Sequence, residues 1–127
     1  AREVVARQAR RGADWVKVMA TGGMRTPGTR VDLAQFGAAQ FGAVMAAAES
    51  HGLPVAAHAH GTVGVAMAVA AGARTVEHCT WIGSSLDWGC VDEGVVRAMV
   101  RQGTRVAPTA HANWSRRPMG ERNFARI

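Results

Sequence analysis

Lysine is nearly absent: Lys17 is the only one in the chain, although lysine and arginine together number 15 against 9 acidic residues. The net charge of +6 is therefore an arginine charge. It lacks the basic stripe with interleaved aromatics, or the recognisable module, that a nucleic-acid surface needs. Arg97, Arg101 and Arg105 fall near helix-to-strand junctions, and Arg116, Arg117, Arg122 and Arg126 crowd the last residues. This pattern reads as a solvated face with a composition bias, and no nucleic-acid partner is expected. No apolar run approaches the roughly 20 residues that cross a bilayer, so no membrane partner is expected either. The opening Ala1-Arg2-Glu3-Val4-Val5 has no apolar region behind a basic start, and the expected location is cytoplasmic. Cys79 and Cys90 are the only cysteines and lie 11 apart. That spacing fits neither a zinc pair nor a disulfide framework, so free thiols are expected. A phosphate loop is missing too, since Thr21-Gly22-Gly23-Met24 matches neither GxGxxG nor GxxxxGK[ST].

What remains is a chain of 127 residues, 48% apolar, long enough for one domain with a real core and too apolar for disorder. Its organisation is repetitive. A helix-like stretch ends in Gly, a short apolar run follows, and a polar residue closes that run. Gly12 precedes Asp14 to Val18, Gly52 precedes Pro54 to His58, Gly72 precedes Arg74 to His78, and Gly103 precedes Thr104 to Thr109. Glycine is the usual residue just past a helix because it accepts the left-handed conformation. The stretches before each Gly are helix-like. Arg2 to Arg11 places Val4, Val5 and Ala9 on one face, and Gln40 to Ser50 is rich in Ala and Met. Thr62 to Ala71 reads as a buried helix, and Val91 to Gln102 as an amphipathic one.

Short buried strands alternating with helices indicate parallel βαβ units. The expected order is α-β-α-β-α-β-α-β within residues 1–110, with an extra loop from Thr21 to Phe36 and an irregular tail over 111–127, all in one domain, 1–127. Doubly wound sheets and (β/α)8 barrels both use such units, and both carry chemistry at the C-terminal ends of the strands. Without a phosphate loop, and with Lys17, His58, His78 and Thr109 ending four successive strands, the barrel is favoured.

Lys17 interrupts Trp15-Val16-Lys17-Val18-Met19-Ala20, an otherwise apolar strand. Lysine is rarely buried without a partner, and burial favours its neutral amine, which can react with carbon dioxide or a carbonyl. Taken alone it reads sooner as a strand-end lysine whose head reaches solvent, and it is a weak signal of function. His58-Ala59-His60 is a stronger signal, because residues two apart on a strand share a face and imidazole is the commonest zinc ligand. His78 ends the next strand, and neighbouring parallel strands lie about 4.8 Å apart, so ligands from adjacent strand ends can meet at one ion. Glu77 should point to the other side, as a structural or supporting group. His51, at the opposite end of its strand, reads as a surface residue. His111 follows Thr109 by two and is an open candidate for the mouth of the site. A lysine and two or three histidines at the ends of three successive strands describe a metal site.

The residues that carry this pattern resemble the amidohydrolase superfamily, in particular its imidazolonepropionase-like and dipeptidase-like branch. The likeness runs from Gly12 to about Thr109, through Gly12-Ala13-Asp14-Trp15-Val16-Lys17-Val18-Met19-Ala20-Thr21-Gly22-Gly23, Val55-Ala56-Ala57-His58-Ala59-His60-Gly61 and Gly72-Ala73-Arg74-Thr75-Val76-Glu77-His78-Cys79, with Val106-Ala107-Pro108-Thr109 a weaker match. The resemblance implies a partial (β/α)8 barrel, about strands 4 to 7. It implies a divalent metal, zinc above all, as one or two ions. Lys17 would carry a carbamate formed with carbon dioxide, and His58 and His78 would be metal ligands. His60, Thr21, Gly22, Gly23 and Thr109 would line the substrate pocket, with the Thr21-to-Arg30 loop at its mouth.

The implied reaction is hydrolysis of an amide, cyclic amide or peptide bond in a small molecule, through metal-activated water. The same resemblance places a first-strand HxH pair before Ala1 and the general-base aspartate after Ile127. A closed barrel needs roughly 250 residues, so the isolated chain is expected to have little or no activity. Its open edges would suit a second copy or the missing half. The alternative expectations are a non-catalytic remnant and a basic interaction domain.

Overall fold

The computed structural model describes residues 1–110. The expected tail and His111 lie outside the described residues. The elements alternate as α1 (Arg2–Arg10), β1 (Val16–Met19), α2 (Ala38–Glu49), β2 (Val55–Gly61), α3 (Thr62–Ala70), β3 (Thr75–Ile82), α4 (Glu93–Gln102) and β4 (Arg105–Ala107). The four strands form one parallel sheet in sequential order. Right-handed crossovers between sequential parallel strands put every connecting helix on the same face. The result is four parallel strands, each preceded by a helix, as expected of part of a (β/α)8 barrel. No helix among the described residues is long and apolar enough to cross a membrane.

Strand register shows which residues meet the helices. Val18 aligns with Ala57, Ala57 with Val76, and Val76 with Val106. The first three of these are buried, and they join Phe41, Val44, Ala48, Val65, Ala68 and Val69 in one core. The opposite face carries two rows: Lys17–Ala56–Thr75–Arg105 below, and Met19–His58–Glu77–Ala107 nearer the C-terminal ends. Lys17 and Met19 are exposed on this face, which in a closed barrel would be the interior.

Gly12, Gly52, Gly72 and Gly103, the glycines expected to end helices, all have positive φ, between 67° and 84°. Several boundaries differ from expectation for local reasons. β4 stops at Ala107 and not Thr109, because Pro108 has no N–H to continue the ladder. α4 begins at Glu93, since Asp92 caps it by accepting from the N–H groups of Gly94 (2.8 Å) and Val95 (3.1 Å). Of Val4, Val5 and Ala9, expected on one face of α1, only Val5 is buried, and Val4 is 51% exposed.

The long loop after β1 folds back over the C-terminal end of the sheet. Ala20 accepts from Gln35 N–H at 2.9 Å, and the Gly22 N–H donates to Arg30 O at 3.1 Å. Asp32 is buried under a two-point ion pair with Arg30, at 3.1 and 2.6 Å. Its backbone lies where a side chain on Gly61 would stand, 2.7 Å from an added Cβ.

Gly61→Ala is therefore expected to destabilise the fold by about 1–3 kcal/mol through overpacking. Gly42→Ala, inside α2 with open space around it, should stabilise by about 0.5–1 kcal/mol through helix propensity. Urea unfolding of the two variants checks both signs.

Candidate metal centre

Strand β2 carries His58 and His60 two residues apart, so both imidazoles leave the sheet on the same side. Both are buried, at 7% and 6% exposure, with ring centroids 4.7 Å apart. His78 reaches them from β3 by a less regular route. Simple alternation would place it beside Ala59, on the helix side. Its backbone instead takes φ 67°, followed by 50° at Cys79 and 54° at Trp81. This reversal brings the His78 ring to 4.6 Å from His58 and 4.4 Å from His60, stacked on the latter. One ring nitrogen of each histidine lies within 4.8 Å of the other two.

The same distortion corrects the expectation for Glu77. It aligns with His58 and shares its face, because the alternation breaks after it and not before. Its carboxylate accepts from the Thr75 hydroxyl at 2.9 Å and pairs with the Lys17 ammonium at 3.6 Å.

The hydrogen bonds assign a tautomer to each ring. His58 Nε2 faces the Gly22 carbonyl at 3.3 Å, and a carbonyl only accepts, so this nitrogen holds the proton and Nδ1 keeps its lone pair. His60 Nδ1 meets Thr80 Oγ1 at 2.9 Å, while that hydroxyl gives its proton to the His60 carbonyl at 3.3 Å. His78 Nδ1 meets Thr109 Oγ1 at 2.5 Å, while that hydroxyl donates to Pro108 O at 2.8 Å. Each threonine thus accepts from Nδ1–H and leaves Nε2 unprotonated. This is the arrangement by which outer groups orient metal-binding histidines.

Burial pushes all three imidazoles toward the neutral form. It acts on His58 first of all, with the Lys17 charge a lesser cause in the same direction. In His78 burial is again the largest cause, ahead of His58 and Lys17. In His60 burial, then His78 and His58, lower the pKa to about 4. Neutral imidazole is the form that binds metal.

The remaining expected site residues divide. Lys17 is exposed, its side chain 49% accessible, and it stands one row below His58. Its apolar neighbours do not bury it, because they point to the helix face. Thr21 and Gly22 are buried and support the imidazoles from behind: Thr21 Oγ1 accepts from His60 N–H at 2.9 Å, and Gly22 O holds His58. Of the residues expected to line a pocket, Gly23 is half-buried and Thr109 exposed at the edge of the cluster. His51 is exposed beyond α2, away from the cluster.

Sequence reasoning missed Thr80 and the Arg30–Asp32 clamp. Thr80 belongs to a strand read as ending at His78. Within the irregular loop, an Arg and an Asp two apart was the only visible signal.

The residues fit a single divalent ion. Three neutral nitrogen donors converge, each ring is oriented by a separate partner, and Glu77 supplies nearby negative charge. Tetrahedral zinc, with bonds of about 2.0–2.1 Å, spaces its nitrogens by about 3.3 Å. Ring movements of about 1.5 Å at most would close the cluster.

The lowered pKa values fix the acid response. Below pH 6.5 the unfolded chain binds protons that folded His60 refuses until about pH 4. Stability is therefore full above the unfolded value and is lost as pH falls through this window. The metal-free chain should lose stability between pH 7 and 4, and His60→Gln should remove on the order of 2–3 kcal/mol of that loss. Urea unfolding across this pH series tests it; an unchanged slope in the variant would contradict the assignment.

Comparison with known proteins places the fold. The model of the Amidohydrolase family matches residues 1–119. Ochratoxinase of Aspergillus niger is 35% identical over 80 residues, which are 63% of this chain and 17% of the relative. The chain thus spans about a sixth of the length of the curated relative it matches. The crystal structure of A. niger ochratoxinase superposes with a TM-score of 0.74 at 31% identity, over 86% of this chain and 23% of that one. A Xaa-Pro dipeptidase with methionine bound in its active site gives 0.73 at 31% identity, over 86% and 25%. A prolidase complexed with N-methylphosphonate-L-proline gives 0.76 at 27% identity, over 98% and 30%. The chain belongs to the amidohydrolase family.

Proposed function

We propose that this chain is the ligand-bearing part of a metal-dependent hydrolase that cleaves C–N bonds in small amides, cyclic amides or peptides. The observation that carries the reading is the convergence of three neutral imidazoles at the C-terminal ends of two adjacent parallel strands, where barrel enzymes hold their chemistry. The names of the similar proteins, a dipeptidase, a prolidase and an ochratoxinase, support amide-type substrates.

In this reading His58 and His78 hold the ion, zinc being the best match to imidazole donors. The Lys17 ammonium would lose one proton to solvent, and its amine would add to carbon dioxide with release of a second proton, giving a carbamate that could serve as an anionic oxygen donor. The chemistry such an ion would supply, held by His58 and His78, is a lowered pKa of a bound water and polarisation of the scissile carbonyl. The chain's own residues do the positioning. Gly22 O, Thr80 and Thr109 keep the imidazole lone pairs aimed, and Thr21 fixes the backbone of His60. His60, Gly23 and Thr109 border the space a substrate would enter. Among the described residues Glu77 is the carboxylate beside the cluster, and it is engaged by Lys17. The proposed reading therefore includes little or no hydrolysis by the isolated chain.

Metal analysis of the gel-filtered chain should find about one zinc or more per chain, absent from a His58→Ala, His78→Ala double variant. Equal metal in both proteins, or none in either, would refute the assignment.

A further inference from the structure

We infer that Arg30 and Asp32 are positioning residues: they buckle the loop after β1 into a strap that holds the Gly22 carbonyl on His58 and so fixes the tautomer of that ring. The inference rests on the role given to His58 above, and brings into that role two residues that hydrogen-bond to none of the imidazoles.

Asp32 is a buried charge for which the cluster itself has no use. Four polar or charged residues are buried among those described, and Thr21, His58 and His60 are the other three. The Asp32 side chain is 1% exposed, while that of its partner Arg30 is 58% exposed. A carboxylate leaves water only where its oxygens are satisfied. Here Arg30 Nε donates to Oδ1 at 3.1 Å and Nη2 to Oδ2 at 2.6 Å. A planar two-point pair fixes direction as well as distance, so it locks the turn at residues 30 to 32.

The locked turn sits in two glycine sockets. A Cβ on Gly61 would stand 2.7 Å from the Asp32 carbonyl oxygen, and one on Gly22 would overlap the Arg30 backbone. Gly61 directly follows His60, so the strap rests on the chain beside the cluster. Its base is closed by the Gln35 N–H on Ala20 O at 2.9 Å and by the Thr21–Ala34 bridge. The Gly22 N–H is shared between Arg30 O at 3.1 Å and Leu33 O at 3.4 Å. The strap thus grips Gly22 by its N–H, and the same residue offers its carbonyl to His58 Nε2 at 3.3 Å.

His58 depends on this grip more than its neighbours do. His60 Nδ1 meets Thr80 and His78 Nδ1 meets Thr109, both hydroxyls outside the strap. Among the described residues, the Gly22 carbonyl is the one hydrogen-bond partner of the His58 ring. A carbonyl only accepts, so while it is in place the proton stays on Nε2 and the Nδ1 lone pair stays free. With the strap unbuckled, no hydrogen bond distinguishes the two ring nitrogens.

The test is 15N NMR of the ring nitrogens in the full, metal-free chain at neutral pH. In the wild type, His58 should show a protonated Nε2 and a bare Nδ1. In Asp32→Asn the two His58 signals should move toward each other as both tautomers become populated, while the His60 pattern stays. Arg30→Lys keeps the charge but loses the fork, and should lie between. Amide exchange at Gly22 and Gln35 should quicken at least about 10-fold in Asp32→Asn, as for loss of a charged hydrogen bond, with Val76 in the core unchanged. The wild-type chain supplies a readout that needs no variant to fold: the Gly22 amide and the His58 Nε2–H should share one protection factor within about 3-fold, because one opening frees both. Zn2+ affinity should fall about 10-fold in Asp32→Asn, as for loss of an outer partner. Faster Gly22 exchange with unchanged His58 signals, a change that spreads to His60 and Val76, or unequal wild-type protection would overturn the inference and leave the metal-dependent reading standing. A wild-type chain that takes up no Zn2+ would overturn that reading, while the metal-free signals still decide for or against the strap.

Discussion

Between Ala59 and Gly61 the ladder that joins β2 to β3 loses its register: Ala59 faces His78, but Gly61 faces Ile82. Two steps on one strand therefore oppose four on the other. The surplus chain is taken up by the positive φ angles at His78, Cys79 and Trp81. The site depends on this irregularity. It turns His78 toward His58, brings Thr80 back to His60, and leaves Glu77 facing Lys17. Bulges and strained residues concentrate where a side chain must be re-aimed, and the free energy they cost has to come from the surrounding fold.

The surroundings supply it from both sides. Behind the strands, small residues let α3 approach closely: Ala57, Ala59 and Ala68 are fully buried, and a side chain on Gly64 would collide with Thr21. In front, the Arg30–Asp32 pair holds the loop after β1 against Gly61. Arg30 keeps the Asp32 carboxyl below the usual carboxylate range, first through its hydrogen bond. The loop in turn fixes Gly22, whose carbonyl orients His58. Burial by these layers keeps the imidazoles neutral, so packing, protonation and ligand readiness have one common cause.

Much of this was legible in the residues. Glycines after each helix, short apolar strands between them, and polar residues at strand ends gave the parallel order and four βα units. The i, i+2 spacing of His58 and His60 placed both on one face, since β2 is regular to that point. What the sequence hid was non-local or irregular. A period of two cannot announce its own interruption, so Glu77 was assigned to the wrong face and Thr80 was overlooked. Lys17, read alone as a strand-end lysine whose head reaches solvent, is exposed, because Val16 and Val18 beside it serve the opposite face. The resemblance implied a place for Thr21 and Gly22 at the mouth of the site; in the fold both are buried, and they hold His58 and the His60 backbone from behind.

The central claim is that the C-terminal ends of β2 and β3 form a metal centre built from imidazole. Zinc K-edge X-ray absorption of the chain loaded with one equivalent of Zn2+ addresses it most directly. The account predicts a nitrogen and oxygen shell at about 2.0–2.1 Å with the outer scattering of two or three imidazoles. Sulfur scattering at about 2.3 Å from Cys79 or Cys90, or a shell without imidazole, would contradict it.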